Sequence, residues 1–304
     1  MRSIQSIYLC GLGAVGATYA KAFLEFASGS LKVVADEGRI ERYRKGGVYL
    51  NGERLDVEYL APSNEAPPAD LIIVAVKQHQ LDEAVELIAP LVGKDTIILS
   101  FLNGIESEEI IGRRCGMKHL LYSFVVETDA VKAGNQIIST KTGIVVFGEE
   151  DSSAGSERVT AVRELFEQCG IRHRVPDDMI REMWWKFMLN VGANQVSAVL
   201  RCGYGGFVQS PHTQEAMRMA CREVVHLAAT RGVSLRDEDI EKCFEIFGRL
   251  APEGKTSMLQ DVDAGRRTEV ELFAGTVGRL GRELGVATPV NDLLYELILS
   301  NEEM

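Results

Sequence analysis

The sequence predicts an α/β protein in two parts, a parallel sheet wrapped by helices and then an all-helical region. Three observations predict it. Short apolar runs alternate with amphipathic stretches through the first half of the chain. Long helical stretches replace them after about residue 175. A glycine-rich turn stands directly behind the first apolar run. Strands that alternate with helices favour a parallel sheet, because each return crossover lays a helix on one face.

Taken in order, Ile7–Cys10 reads as a strand that stops at glycines, and Ala14–Phe26 as the helix behind it. Leu31–Ala35 is the second strand and Leu71–Val76 the third, an unbroken apolar run suited to burial on both faces. Leu81–Leu91 places apolar side chains at 81, 84, 85, 88 and 91, the spacing of one helix face. Thr96–Phe101 is a strand, Asn103-Gly104 a turn, Ile105–Cys115 a helix and His119–Val126 a further strand. Gln136–Thr140 and Ile144–Gly148 flank Lys141-Thr142-Gly143, which predicts an antiparallel hairpin added late to the sheet.

Beyond Pro176 the pattern becomes helical. Asp177–Leu200 is nearly continuous, and Thr213–Thr230 closes at Arg231-Gly232. Ser234 with Asp237 predicts a capping box for a helix running to Leu250. Ser257–Leu284 reads as one long helix or two, ending at Gly285, and Thr288-Pro289 opens the last helix. The predicted division is therefore 1–175 and 176–304.

Composition narrows the function. With 46% hydrophobic and 25% charged residues the chain has ample apolar surface to bury. Its net charge of −11 argues against sequence-independent nucleic-acid binding, which depends on neutralising phosphates. No run approaches the roughly 18 apolar residues of a membrane span. The apolar N-terminal stretch is broken by Gly11, Gly13 and Gly16 and followed by Lys21 and Glu25, a poor secretory leader. Six scattered cysteines without a C-x-x-C pair suggest neither a disulfide framework nor a zinc site, so no metal is expected. Reduced thiols in a cytoplasmic protein are the expectation.

Gly11-Leu12-Gly13-Ala14-Val15-Gly16 matches G-x-G-x-x-G. The first glycine permits the tight turn, the second admits a pyrophosphate to the backbone, and the third lets helix and strand pack closely. The motif sits between a strand and a helix, and Asp36 ends the next strand 20 residues after Gly16. Together these predict a Rossmann-type dinucleotide-binding domain. Lys77 and Asn103 lie just beyond two other strands, where cofactor crevices form; Lys77 reads equally as a solvated lysine, and Asn103 as part of a plain turn. Lys186, Asn190 and Asn194 are spaced i, i+4, i+8 on a strongly apolar stretch, with Ser197 beside its end. Buried without partners such groups would be costly, so a stripe facing a cleft is predicted. Ser257 is also readable as a helix cap and Glu269 as a surface helix acid.

These segments resemble the ketopantoate reductase (2-dehydropantoate 2-reductase) family over essentially the whole chain. The resemblance rests on GLGAVG, Lys77, Asn103-Gly104, the helix WWKFMLNVGANQVSAV and the helix SMLQDVDAGRRTEVE. It implies reduction of 2-dehydropantoate to pantoate with NADPH, on the route to pantothenate and coenzyme A. Lys186 would be the general acid, Asn190, Asn194 and Ser257 would bind substrate, and Glu269 would take its terminal hydroxyl. Asn103 would lie near both nicotinamide and substrate, and Lys77 at the site's edge. Two departures stand out. Asp36 occupies a position where many members have an arginine, which favours NAD, although Arg39, Arg42, Arg44 and Lys45 follow and keep NADP as the family expectation. Arg201-Cys-Gly-Tyr-Gly-Gly206 replaces a further substrate asparagine, which leaves open another branched 2-oxo acid or an imine as substrate. A non-catalytic dinucleotide-binding regulator would have no use for the second-domain set. The expected partner is a small 2-oxo acid; a homodimer is left open.

Overall fold

Every position of β1 (Ile7–Cys10) is buried, the mark of a strand covered on both faces. The computed structural model describes residues 3–26, 29–63, 66–151 and 154–304. Its contacts divide the chain into two units, Met1–Met179 and Ile180–Met304.

In the first unit, α1 (Ala14–Phe26) follows β1, then β2 (Leu31–Val34) and α2 (Glu37–Gly46). Three short strands come next: β3 (Tyr49–Leu50), β4 (Glu53–Arg54) and β5 (Glu58–Leu60). The alternation resumes with β6 (Ala69–Val74), α3 (Leu81–Ile88), β7 (Val92–Ser100), α4 (Ser107–Cys115) and β8 (Leu120–Val126). It closes with β9 (Asp129–Ala133), β10 (Gln136–Lys141), β11 (Ile144–Gly148), α5 (Glu157–Gln168) and β12 (His173–Arg174). The main sheet has the order β12-β11-β8-β7-β6-β1-β2-β5. It is parallel from β8 to β5, and β11 joins β8 antiparallel. Successive residues of β1 and β6 serve opposite faces. Ile7, Leu9, Leu71 and Ile73 enter one core with Phe23, Phe147 and Phe166, while Tyr8, Cys10, Ile72 and Val74 enter the other with Ile88 and Ile111. The chain passes from β1 to β2 on one side and later to β6 on the other, so the glycine turn leaves the sheet where its winding reverses. This is the predicted α/β class, with a parallel sheet and a helical C-terminal part.

The predicted hairpin is not formed. β10 pairs with β9 and β3 in a second sheet of order β4-β3-β10-β9, whereas β11 pairs with β8 in the main sheet. Gly143 has φ 85° beside Val126 and Thr128, and there the chain passes from one sheet to the other instead of folding back. The actual tight turn is Gly134, φ 62°, joining β9 to β10.

The second unit is helical: α6 (Met179–Leu200), α7 (Tyr204–Gln209), α8 (Pro211–Thr230), α9 (Asp237–Phe247), α10 (Ser257–Asp263), α11 (Thr276–Leu284) and α12 (Pro289–Glu303). Pro211 and Pro289 stand in the first turns of α8 and α12, where a missing N–H costs nothing. The cap of α9 is displaced from its predicted register. Asp239 reaches back to the Arg236 N–H at 3.1 Å, and the Ser234 carbonyl accepts from Arg181 Nε. Of the two readings of Ser257–Leu284, one long helix or two, the structure forms two. Gly265, φ 60°, ends α10, and a π-turn over Glu271–Gly275 leads into α11.

Glu223 of α8 holds the start of α12. Its carboxylate accepts from the Val290 N–H, the Asn291 N–H and Asn291 Nδ2 at 2.7–3.0 Å. A carboxylate there also complements the positive end of the helix dipole. Glu223→Ala strands buried donors and should destabilise the protein by about 3 kcal/mol. A lower urea midpoint at unchanged slope is the expected reading; an unchanged midpoint would show that the cap contributes nothing.

Candidate functional site

The first unit brings its predicted residues to one sheet edge through strand register. Cys10 pairs with Val34 on one side and Val74 on the other, and Val74 pairs with Ser100. Gly13, Lys77 and Asn103 each lie three residues beyond these paired ends, and Asp36 two beyond. All four therefore leave the carboxyl ends of neighbouring strands. Gly11 adopts φ 108° and its backbone lies against the Ala75 carbonyl, and a Cβ on Gly16 would run into the Gly11 carbonyl. The loop Gly11-Leu12-Gly13-Ala14-Val15-Gly16 is thus a cradle that side chains at those two positions would fill. It opens directly into α1, whose first-turn N–H groups suit a phosphate.

Asp36 is the N-cap of α2, its Oδ1 accepting from the Arg39 N–H at 2.8 Å. Its Oδ2 lies 3.6 Å from Arg39 Nε, and Arg39 also reaches Glu83 at 3.5 Å. Lys77 is exposed and opens a short 3₁₀ turn over Gln78–Gln80; Asn103 is half-buried, before Gly104 at φ 92°. Behind that turn, Ser100, Ser107, Ser123 and Glu108 form a buried hydrogen-bonded group, with Ser107 Oγ donating to Glu108 at 2.8 Å. Cys10 touches the same edge, but burial pushes its thiol up to about 12, out of nucleophilic range.

The second unit gathers its residues on α6, where no residue from Met179 to Val199 is more than partly exposed. Lys186 is only 9% exposed and Asn194 5%. Asn194 Nδ2 donates to Asn190 Oδ1 at 3.4 Å. Asn194 Oδ1 accepts from Ser257 Oγ and from the Met258 N–H, both at 3.1 Å. Asn190, Asn194 and Ser257 thus form one connected group, with Lys186 one turn earlier on the helix. Ser257 is not the cap of α10. Thr256 is, with its Oγ1 accepting from the Leu259 N–H and bonded to Ser197 Oγ at 2.5 Å. Glu269 lies outside any helix, half-buried at the bend before the π-turn, rather than on a surface helix. No helix among the described residues is long and apolar enough to cross a membrane, and no group of potential metal ligands occurs among them.

Sequence reasoning missed Lys132 of β9, whose Nζ donates to the Leu12 carbonyl at 2.9 Å inside the glycine loop. Its strand is only five residues long, too short for the sequence pattern to assign Lys132 a face. It also missed Thr256, because Thr and Ser stand side by side there and both suit an N-cap.

Residues 7–152 match the family model described as ketopantoate reductase PanE/ApbA, and residues 178–302 its C-terminal counterpart. A 2-dehydropantoate 2-reductase of Aquifex aeolicus is 26% identical over 308 residues, covering 98% of this chain and 97% of that one. Among solved structures, D-mandelate dehydrogenase with NADH and anilino(oxo)acetate superposes with TM-score 0.85 at 23% identity, covering 98% of both chains. A dimeric ketopantoate reductase from Staphylococcus aureus superposes with TM-score 0.78 at 21% identity, covering 98% of this chain and 99% of that one.

Asn194 is the junction of the second-unit group. Asn194→Ala removes the acceptor of a buried N–H and of Ser257, and should cost about 1–3 kcal/mol in urea unfolding. Ser257→Ala removes one of the two donors and leaves the Met258 N–H bonded to Asn194, so it should lose much less; a loss as large as that of Asn194→Ala would refute the hydrogen-bond account.

Proposed function

The chain belongs to the ketopantoate reductase PanE/ApbA family, and from that premise we propose that it is a 2-oxo acid reductase that converts 2-dehydropantoate to pantoate. The observation that carries this reading is the buried Lys186, one turn from the Asn190–Asn194–Ser257 group. A nicotinamide dinucleotide supplies the hydride when bound. The cradle at Gly11, Gly13 and Gly16 fits its pyrophosphate, with Leu12, Ala14 and Val15 lending backbone. Lys77 and Asn103 stand at the same edge to orient the reacting end.

Lys186 has the chemistry of the proton donor. Reduction at C2 places negative charge on the carbonyl oxygen, and an ammonium at hydrogen-bond distance stabilises and protonates it. Low exposure strengthens that interaction by excluding water. Asn190, Asn194 and Ser257 offer amide and hydroxyl groups to the carboxylate, and Glu269 accepts from the terminal hydroxyl. A second reading is favoured by the likeness to D-mandelate dehydrogenase: another 2-oxo acid, with a bulkier substituent, as substrate. The glycine-rich Arg201–Gly206 stretch is committed to backbone pairing, Tyr204 N–H to Gly254 O and Gly205 N–H to Pro252 O. It offers no side-chain amide for a hydroxyl. We further propose a homodimer, like the Staphylococcus aureus relative, and a cytoplasmic location suited to six free thiols.

For the cofactor we propose NADH, in place of the NADPH that the family resemblance led us to expect. The base nearest the second strand's end, Arg39, already faces Asp36 and Glu83, and the Asp36 carboxylate accepts from a ribose hydroxyl but repels a 2′-phosphate. The arginines at 42 and 44 and Lys45 remain the argument for NADPH.

Two measurements test the reading. Loss of nicotinamide absorbance should be fastest with 2-dehydropantoate among a panel of 2-oxo acids, and Lys186→Ala should lower kcat roughly 10²- to 10⁴-fold with dinucleotide affinity unchanged. Near-normal turnover would remove Lys186 from the chemistry, and a faster rate with an aryl 2-oxo acid would select the second reading. For the cofactor, kcat/KM should favour NADH by about tenfold or more, ~1.4 kcal/mol, and Asp36→Asn should narrow that ratio. A wild-type preference for NADPH overturns the assignment.

A further inference from the structure

β9 alternates exposed and half-buried positions, and Ala130 and Lys132 occupy the half-buried ones. Lys132 stands opposite Ile137 of β10, which is fully buried. Such a face is ordinarily apolar, yet here it carries an ammonium. The Nζ donates to the Leu12 carbonyl at 2.9 Å, and among the described residues no carboxylate pairs with it. The charge that acts on it is that of another cation, Arg39. Burial first, and Arg39 second, hold the Lys132 ammonium below the usual lysine range.

A loop that cradles an anion through its N–H groups must keep its carbonyl oxygens from repelling that anion. An ammonium on the Leu12 carbonyl meets this need and reverses the local sign. An ammonium seated on the glycine loop without a counter-charge describes a place for a negative group. We propose that Lys132 is a binding residue for the dinucleotide: it fixes the Gly11-Leu12-Gly13 turn and contributes positive charge toward the pyrophosphate. The proposal rests on the dinucleotide reading of the loop given above, and assigns part of that site to the second sheet, outside the glycine motif.

The test compares wild type with Lys132→Met and Lys132→Arg. Binding of NADH is followed by its fluorescence, and ADP and adenosine by competition. Lys132→Met should weaken NADH and ADP about ten- to hundredfold and change adenosine, which lacks phosphate, less than about twofold. Lys132→Arg should restore most of the affinity, because it returns the charge. Unchanged ADP affinity in Lys132→Met overturns the proposal. So does an equal loss for ADP and adenosine, which would make Lys132 a support of loop shape alone. Wild-type protein that binds neither NADH nor NADPH would instead sink the dinucleotide reading, and this proposal with it.

Discussion

A largely buried helix must find partners for its polar side chains inside the protein, and α6 carries enough of them to dictate which helices pack against it. Arg181 takes Asp239 in a two-point contact at 2.8 Å and Trp185 donates to the Asp239 carbonyl, which fixes α9. Gln195 donates to Asn291 at 2.9 Å, which fixes α12. Asn194 and Ser197 take Ser257, Met258 and Thr256, which fix the start of α10. At Gly192 the missing side chain admits Cys221 and Met217, so α8 approaches there. Each contact satisfies a group that would cost roughly 1–3 kcal/mol if buried alone. The stripe that we read as catalytic is therefore held by the same bonds that assemble the helical unit.

The first unit meets a different constraint. A parallel strand paired on both sides has unpaired backbone groups only at its ends, and register decides which ends coincide. Cys10, Val34, Val74 and Ser100 are level, so their continuations present a glycine loop, an acid, a lysine and an asparagine together. The buried Ser100–Ser107–Ser123–Glu108 group braces one of these ends. Serines in a strand that otherwise reads as core are tolerable because each finds a partner.

Much of this was legible in the sequence where a single period dominates. The runs Ile7–Cys10 and Ala14–Phe26 appear as predicted because apolar patterning and glycine punctuation agree there. Legibility failed where a local signal had two readings. Lys141-Thr142-Gly143 has the look of a hairpin turn, but β10 finds its partners at β9 and β3, the latter far away in sequence. Ser234 and Ser257 both suit a cap, and in each case another residue takes the post. Helical composition from Ser257 onward left one helix or two open, and the turn at Gly265 decides for two. The Lys186–Asn190–Asn194 spacing was plain, whereas Lys132 was invisible, because its significance arises only when β9 is laid beside a loop 120 residues earlier.

The second sheet has a consequence for the order in which this protein can be made. Its strands come from two stretches, residues 49–54 and 129–141, and β3 pairs with β10 rather than with a sequence neighbour on that side. On a ribosome the early strands β1, β2 and β6 emerge and can pair long before β10 does. Until then β3 and β4 have only each other to pair with, and a two-stranded ribbon with an open edge is marginal alone and prone to wrong partners. The glycine loop is thus synthesised early but receives its lysine late, and a nascent chain stalled before residue 132 would hold the turn without its ammonium. Closure of that small sheet is the step at which the glycine loop acquires the Lys132 ammonium.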